Sequence, residues 1–305
     1  MKRKVLHTIG YVLFFLVSFA FFLVRGFPVH MVAKQLDYRA KAAGLDLNYA
    51  TLKTSFPSGI VVEALRITKP IQKEQETIPL SVRIDRGKLD FSLLGLLGGK
   101  KHIDVDLELL GGRIDGSVES KDSSLKLDLR LSSLRLERLM PWDKLIGQQL
   151  VGQLSGALNV DWNLLKARDS TGEISLELAS GKVGKGKIYG VELPMVDLGK
   201  TLLQMNISKA KLECRNCKVE SDEVDAALEG YLLLQKNILD TSAHLRLRAK
   251  PSEAVIQKVK NKLPPEFHTL FDQKLAQSRG RDGWFRYSIY GRIFKGAVSF
   301  RPLRQ

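Results

Sequence analysis

The chain has 305 residues, 44% hydrophobic and 27% charged, with a formal net charge of +15. That composition excludes a disordered or fibrous chain and provides for one large domain or two ordinary ones, and two cysteines exclude a disulfide-rich scaffold. So strong a basic excess points to an anionic partner: nucleic acid, phospholipid headgroups or an acidic protein.

Lys2, Arg3 and Lys4 precede a run of 20 residues, Val5–Val24, that holds no Asp, Glu, Lys or Arg and is closed by Arg25. At about 1.5 Å per residue it spans roughly 30 Å, the thickness of a bilayer core. Residues 1–26 are therefore predicted to be a cytoplasmic tip and a transmembrane signal-anchor, with Lys2, Arg3, Lys4 and Arg25 as its flanks. The basic end stays in the cytoplasm and everything after Arg25 lies across the membrane. A cleaved signal peptide is the competing reading, since Ser18-Phe19-Ala20 fits a small-x-small cleavage site. The apolar run continues through Val24, beyond a usual signal core. An exported domain with 8% aromatics and no basic stripe interleaved with them is not a nucleic-acid binder.

Residues 27–45 are predicted to form a juxtamembrane amphipathic helix. Val29, Val32, Leu36 and Ala40 share one face, and Gly44 stops the helix. Its expected role is to pack onto the end of the next domain. From Asp46 the period changes. "HIDVDLEL", "SLKLDLRL", "EISLEL" and "HLRLRA" alternate strictly, with Ile103, Val105, Leu107 and Leu109 on one face of the first and Leu125, Leu127, Leu129 and Leu131 on one face of the second. Such segments are strands with one wet and one apolar face. Short breaks at Leu110–Arg113, Ser120–Ser124 and Leu178–Val183 imply antiparallel neighbours. Glycines recur near strand starts, in "GGRIDGSV", "GQLSGALNV", "TGEISLEL" and "LEGYLLL".

Three helical patches interrupt this rhythm: Met140–Leu150, Pro194–Asn206 and Pro251–Gln277. Ser252 caps the third, and Pro264-Pro265 divides it in two. A final hairpin follows, with Phe285, Tyr287 and Ile289 on one face. The predicted fold of residues 46–305 is mainly β: a long curved antiparallel sheet, gutter or partly closed barrel, with a few flanking helices. A sheet with one apolar face needs something to cover it.

No motif for catalysis emerges. The five histidines lie at no metal-ligand spacing. "GKVGKGKI", Gly181–Ile188, nearly matches a phosphate loop, but Ile188 stands where a hydroxyl must hold magnesium and no helix follows. No catalytic, cofactor or metal residue is assigned. The only cysteines are Cys214 and Cys217. They lack the helix N-terminus of a redox couple and the further cysteines of a zinc site. "AKLECRNCKVES" is predicted to be strand, tight turn, strand, with Arg215-Asn216 at the tip. Opposed cysteines in an oxidising space would close a disulfide, with free thiols as the alternative.

Four stretches give the chain a resemblance to protein N of the type II secretion system, the GspN family: the short anchor followed by a helix, "SFPSGIVVEALRITKP" (Ser55–Pro70), "GALNVDWNLLKARDSTGEISLELASGKV" (Gly156–Val183) and "ISKAKLECRNCKVESDEVDAALEGYLLL" (Ile207–Leu234). In the last, Ser221 or Asp222, Asp225, Leu228 and Gly230 match the family's pattern. The rhythm is also similar to AsmA-type envelope proteins, which build apolar β-gutters for lipid. The resemblance implies a non-enzymatic, single-pass inner-membrane protein of the Gram-negative envelope, with its bulk in the periplasm. It would contact other secretion-system envelope subunits through its sheet; the alternative is an AsmA-like protein that binds or transfers phospholipid in an apolar β-groove.

Overall fold

The computed structural model describes residues 29–55, 58–73, 76–92, 101–139, 148–188, 191–192, 194–235, 240–292 and 297–303. The expected membrane anchor and its flanks Lys2, Arg3, Lys4 and Arg25 lie outside them. Among the described residues no helix is long and apolar enough to cross a membrane.

Helix α1 (Val29–Ala42) comes first, ended by Gly44 at φ +70°. Then come β1 (Asp46–Asn48), β2 (Thr51–Ser55), β3 (Gly59–Lys73), β4 (Glu76–Phe91), β5 (Lys101–Leu109), β6 (Gly112–Lys121), β7 (Ser124–Arg135), β8 (Gln149–Asn163) and β9 (Thr171–Gly184). A small hairpin of β10 (Lys187–Ile188) and β11 (Val191–Glu192) precedes β12 (Val196–Ser208), β13 (Lys211–Glu220), β14 (Val224–Leu233) and β15 (Ser242–Pro251). Helices α2 (Glu253–Lys260) and α3 (His268–Ser278) separate these from β16 (Phe285–Arg292) and β17 (Ala297–Pro302).

Apart from the small hairpin, the strands form one 15-stranded antiparallel sheet in chain order, β1 and β2 sharing the outer edge of β3. The meander never crosses itself, because alternating strands joined by short turns pair with their sequence neighbours. β17 does not return to β1. The sheet is open, so the partly closed barrel is corrected to a long open sheet. At about 4.8 Å per strand it runs roughly 60 Å along its hydrogen-bonding direction. The chain's total accessible surface, 20480 Å², exceeds the roughly 13,000 Å² of a compact monomer of this mass.

Four sequence-based expectations change. From Val196 on, the expected helix Pro194–Asn206 is strand β12: Leu203, Met205 and Ile207 alternate with Gln204 and Asn206, and pairing on both sides outweighs the helical stripe. Gln149 and Leu150 open β8 instead of closing a helix, and Met140–Gly147 lies outside the described residues. Leu178–Val183 is not a turn but a bulge within β9, with Ser180 at φ +51°. Arg215-Asn216 is no hairpin tip, since β13 runs unbroken through both cysteines.

The recurring glycines have one physical cause. Gly116 (φ +146°) and Gly156 (φ +155°) lie on the apolar face, where a Cβ would stand 2.0 Å from the Asp128 carbonyl oxygen and 2.1 Å from that of Ser175. Only glycine lets adjacent backbones approach so closely in that conformation. Beyond them toward the other end of the strands, register shifts in β4, β7 and β8 bend the sheet around its small core of Ile84, Leu109, Leu110 and Leu134.

Helix α2 is tied to the sheet through Glu223. Ser252 caps the helix by accepting from the Val255 N–H. The Glu223 carboxylate accepts from the Lys258 ammonium and, at 2.7 Å, from the Asp197 N–H. The Lys258 ammonium first, then the Asp197 N–H, hold its pKa below the ordinary 4.5. A depressed carboxylate stabilises the fold above that value and loses its contribution as pH falls through the folded-state pKa. Glu223→Gln is expected to cost about 1 kcal/mol at neutral pH. In thermal melts its deficit should shrink as pH falls below 4.5 and through the folded-state pKa; a deficit unchanged by acid would refute the assignment.

Candidate functional site

The strand registers join the alternating apolar residues into rungs that run across the sheet. One rung reads Ile60, Leu89, Val105, Gly116, Leu129, Leu158, Ile174, Met205, Cys214, Gly230, Leu245, Ile289. The next reads Val62, Gly87, Leu107, Ile114, Leu131, Gly156, Leu176, Leu203, Cys217, Leu228, Leu247, Tyr287. A third, from Phe91 and Ile103 through Leu127, Val160 and Ile207 to Leu232 and Ala243, flanks them toward the opposite strand ends from the core. No charged residue interrupts any of the three.

Among the described residues no second layer lies over the middle of this face. Leu127, Leu129, Leu131, Leu158, Ile174, Leu176, Leu203, Met205, Leu228, Leu245 and Leu247 are all half-buried, whereas a packed layer would bury them fully. The helices sit at the two ends: α1 against β1 and β2, α3 against β16. In α1, Ala40 is buried and Leu36 remains exposed, so its apolar stripe is only partly used.

The opposite face carries charge, part of it in ion pairs. Lys88 meets Asp90 at 2.6 Å, Arg113 meets Asp106 at 2.7 Å and Arg248 meets Glu229 at 2.8 Å. Exposed pairs of this kind stabilise little, but they show that much of the basic charge is solvated sheet surface. The histidines stand apart from one another. His102 is 3.3 Å from Asp104, His268 is 3.0 Å from the Leu263 carbonyl, and His244 stacks on Tyr231 at 5.1 Å with Tyr290 edge-on at 5.7 Å. His7 lies outside the described residues, as does the side chain of His30.

Cys214 and Cys217 form a disulfide with Cα atoms 5.9 Å apart. Strict alternation would place residues three apart on opposite faces. Arg215 is the extra residue of a bulge: Cys214 faces Met205, Asn216 faces Gln204 and Cys217 faces Leu203. The bulge turns both cysteines onto the apolar face, in adjacent rungs. No spacing in the sequence signals this. Chain-entropy reasoning for so short a loop gives about 2 kcal/mol of stabilisation. Cys214→Ser with Cys217→Ser should lower stability by that amount, and alkylation without reductant should add no mass; two readily alkylated thiols would refute the closed pair.

The motif residues of the fourth resembling stretch divide between roles. Ser221 shapes the β13–β14 turn, its hydroxyl accepting from the Val224 N–H at 2.9 Å and donating to the Asp197 carbonyl at 2.7 Å. Leu228 and Gly230 belong to the apolar rungs, and Asp225 lies opposite Lys250 on the wet side.

Fold and surface together define a class: an open antiparallel meander that presents one long apolar face. No family model matches the chain, and no curated protein or solved structure matches it significantly.

Proposed function

We propose that the chain is a non-enzymatic envelope protein, anchored once in the inner membrane with its bulk in the periplasm, whose apolar sheet face holds acyl chains of phospholipid. The carrying observation is the charge-free apolar rungs, two of them continuous from β3 to β16, half-buried at mid-sheet with no described layer over them. Three rungs two residues apart, with their side chains, make a strip on the order of 15–20 Å wide, comparable to one leaflet of a bilayer core at about 15 Å. Surplus apolar surface of this extent needs an occupant in water, and a fluid hydrocarbon chain fits a strip with no charge and, along these rungs, a polar hydroxyl only at its Tyr287 end. Lipid extraction from the purified full-length chain, read by mass spectrometry, tests this. Stoichiometric phospholipid is expected, and its absence overturns the reading.

The second reading is a component of the type II secretion apparatus that acts by protein–protein contact. It is supported by the resemblance to GspN and by the outer edge of β17, which pairs with no described strand. An open edge accepts an added strand from a partner. A photo-crosslinker at Ser299 should then capture another secretion subunit in cells. Capture of one, together with a lipid-free purified chain, would replace the first reading by the second.

A further inference from the structure

The turns at one end of β6–β14 carry leucines and cations into solvent. Between β8 and β9, Leu164 is 48% exposed and Leu165 78%, the latter more than any other large hydrophobic residue described. The backbone holds them there. Asn163 Oδ1 accepts from the Leu165 N–H at 3.0 Å and the Lys166 N–H at 2.8 Å. The Leu164 N–H donates to the Ser123 carbonyl at 2.8 Å, and the Asn163 N–H to the fully buried Ser170 hydroxyl at 2.9 Å. A loop pinned on both sides cannot fold its leucines back onto the sheet.

Cations surround this tip. Lys121, Lys166, Arg168 and Lys209 are exposed and form no ion pair among the described residues, although Lys126, further into β7, is paired with Asp161. Asp122 and Asp169 are the acids in the same turns. Lys166 and Arg168 also line an open hollow of about 430 Å³ whose apolar wall is Ala210, Leu233 and Leu234. Just inside the tip, Leu125 and Trp162 pair on the apolar face and continue it to this end.

We propose that this end of the sheet is a membrane-contact rim: Leu164 and Leu165 enter the interfacial layer of a bilayer while Lys166 and Arg168, with Lys121 and Lys209 beside them, meet anionic phosphate headgroups. Two leucines on a rigid tip ringed by cations are too small an area for a stable protein interface, which needs about 800 Å² per partner. They suit a surface where apolar side chains gain hydrocarbon and cations gain phosphate at neighbouring depths. The rim would then be the point where lipid passes onto the Leu125–Trp162 end of the face; that step rests on the acyl-binding reading, and the membrane contact does not.

The test uses full-length chain with Leu165→Cys carrying an environment-sensitive fluorophore, the two native cysteines being paired. The protein is reconstituted in phosphatidylcholine vesicles, or in an equal mixture with phosphatidylglycerol, and vesicles of either composition are added. A spin-labelled quencher lipid is placed first in the resident membrane, then in the added one. Quenching is expected from the membrane that the rim meets when it contains phosphatidylglycerol. Lys166→Gln with Arg168→Gln should weaken it about 25-fold, at roughly fivefold per cation. The same label at Asn159→Cys, on the wet face, should stay unquenched. A label at 165 that neither membrane quenches overturns the rim, as does quenching indifferent to phosphatidylglycerol and to the double variant. A label shielded from aqueous iodide yet unquenched by lipid marks a protein contact and also overturns it. Phospholipid that still co-purifies with an unquenched chain sinks the rim alone; quenching without co-purified phospholipid sinks the acyl-binding face alone.

Discussion

Leu158→Glu is expected to leave the chain folded and strip it of phospholipid. Leu158 sits at mid-sheet between Leu129 and Ile174, half-buried with no described layer above it. In the lipid-free protein water reaches a carboxylate at this position, so folding loses only the apolar contact, on the order of 1–2 kcal/mol. Under hydrocarbon the same charge costs about 3 kcal/mol, somewhat more than a hundredfold in affinity. Extraction and mass spectrometry should find bound phospholipid reduced to background. Asn159→Glu, one residue on and facing the wet side, should retain the parent's lipid. A face sealed in the folded state would give the opposite pattern, with Leu158→Glu failing to fold at all. That outcome would remove the acyl-binding reading.

Gly116→Val should be the most damaging glycine replacement on the apolar face. Its Cβ would lie 2.0 Å from the Asp128 carbonyl oxygen and 2.9 Å from the Leu129 Cα, both backbone atoms that no rotamer change can move aside. The φ of +146° is itself unfavourable for a β-branched residue. A loss of at least about 3 kcal/mol follows, with the melting midpoint lowered by on the order of 10 °C. Ser117→Val, the adjacent residue in the same strand, should change stability by less than about 1 kcal/mol, since valine suits a pleated surface. Equal destabilisation by both variants would mean that strand β-propensity, and not close approach of the backbones, decides the position.

Much of this architecture can be read without coordinates because its signal is local. Leu125, Leu127, Leu129 and Leu131 alternate with charges, and in a meander each such strand pairs with the next in sequence. Ser252 and Pro264-Pro265 likewise act within a few residues and sit where their chemistry places them. The segment Val196–Ser208 misleads for the converse reason. Leu202 and Leu203 stand side by side and mimic a helical stripe, and the choice falls to the ladders with β9 and β13.

The sequence by itself determines the alternation, the antiparallel order and an apolar face in want of cover, since each follows from side-chain period and short turns. Only the tertiary structure decides that the sheet stays open, because closure depends on whether the first and last strands, more than 200 residues apart, ever meet. It alone places both cysteines on the apolar face, because one extra residue at Arg215 reverses the parity that spacing implies. The exposed tip at Leu164 and Leu165 is decided in the same way: backbone bonds to Ser123 and Ser170 hold those leucines in water, where hydropathy alone would bury them.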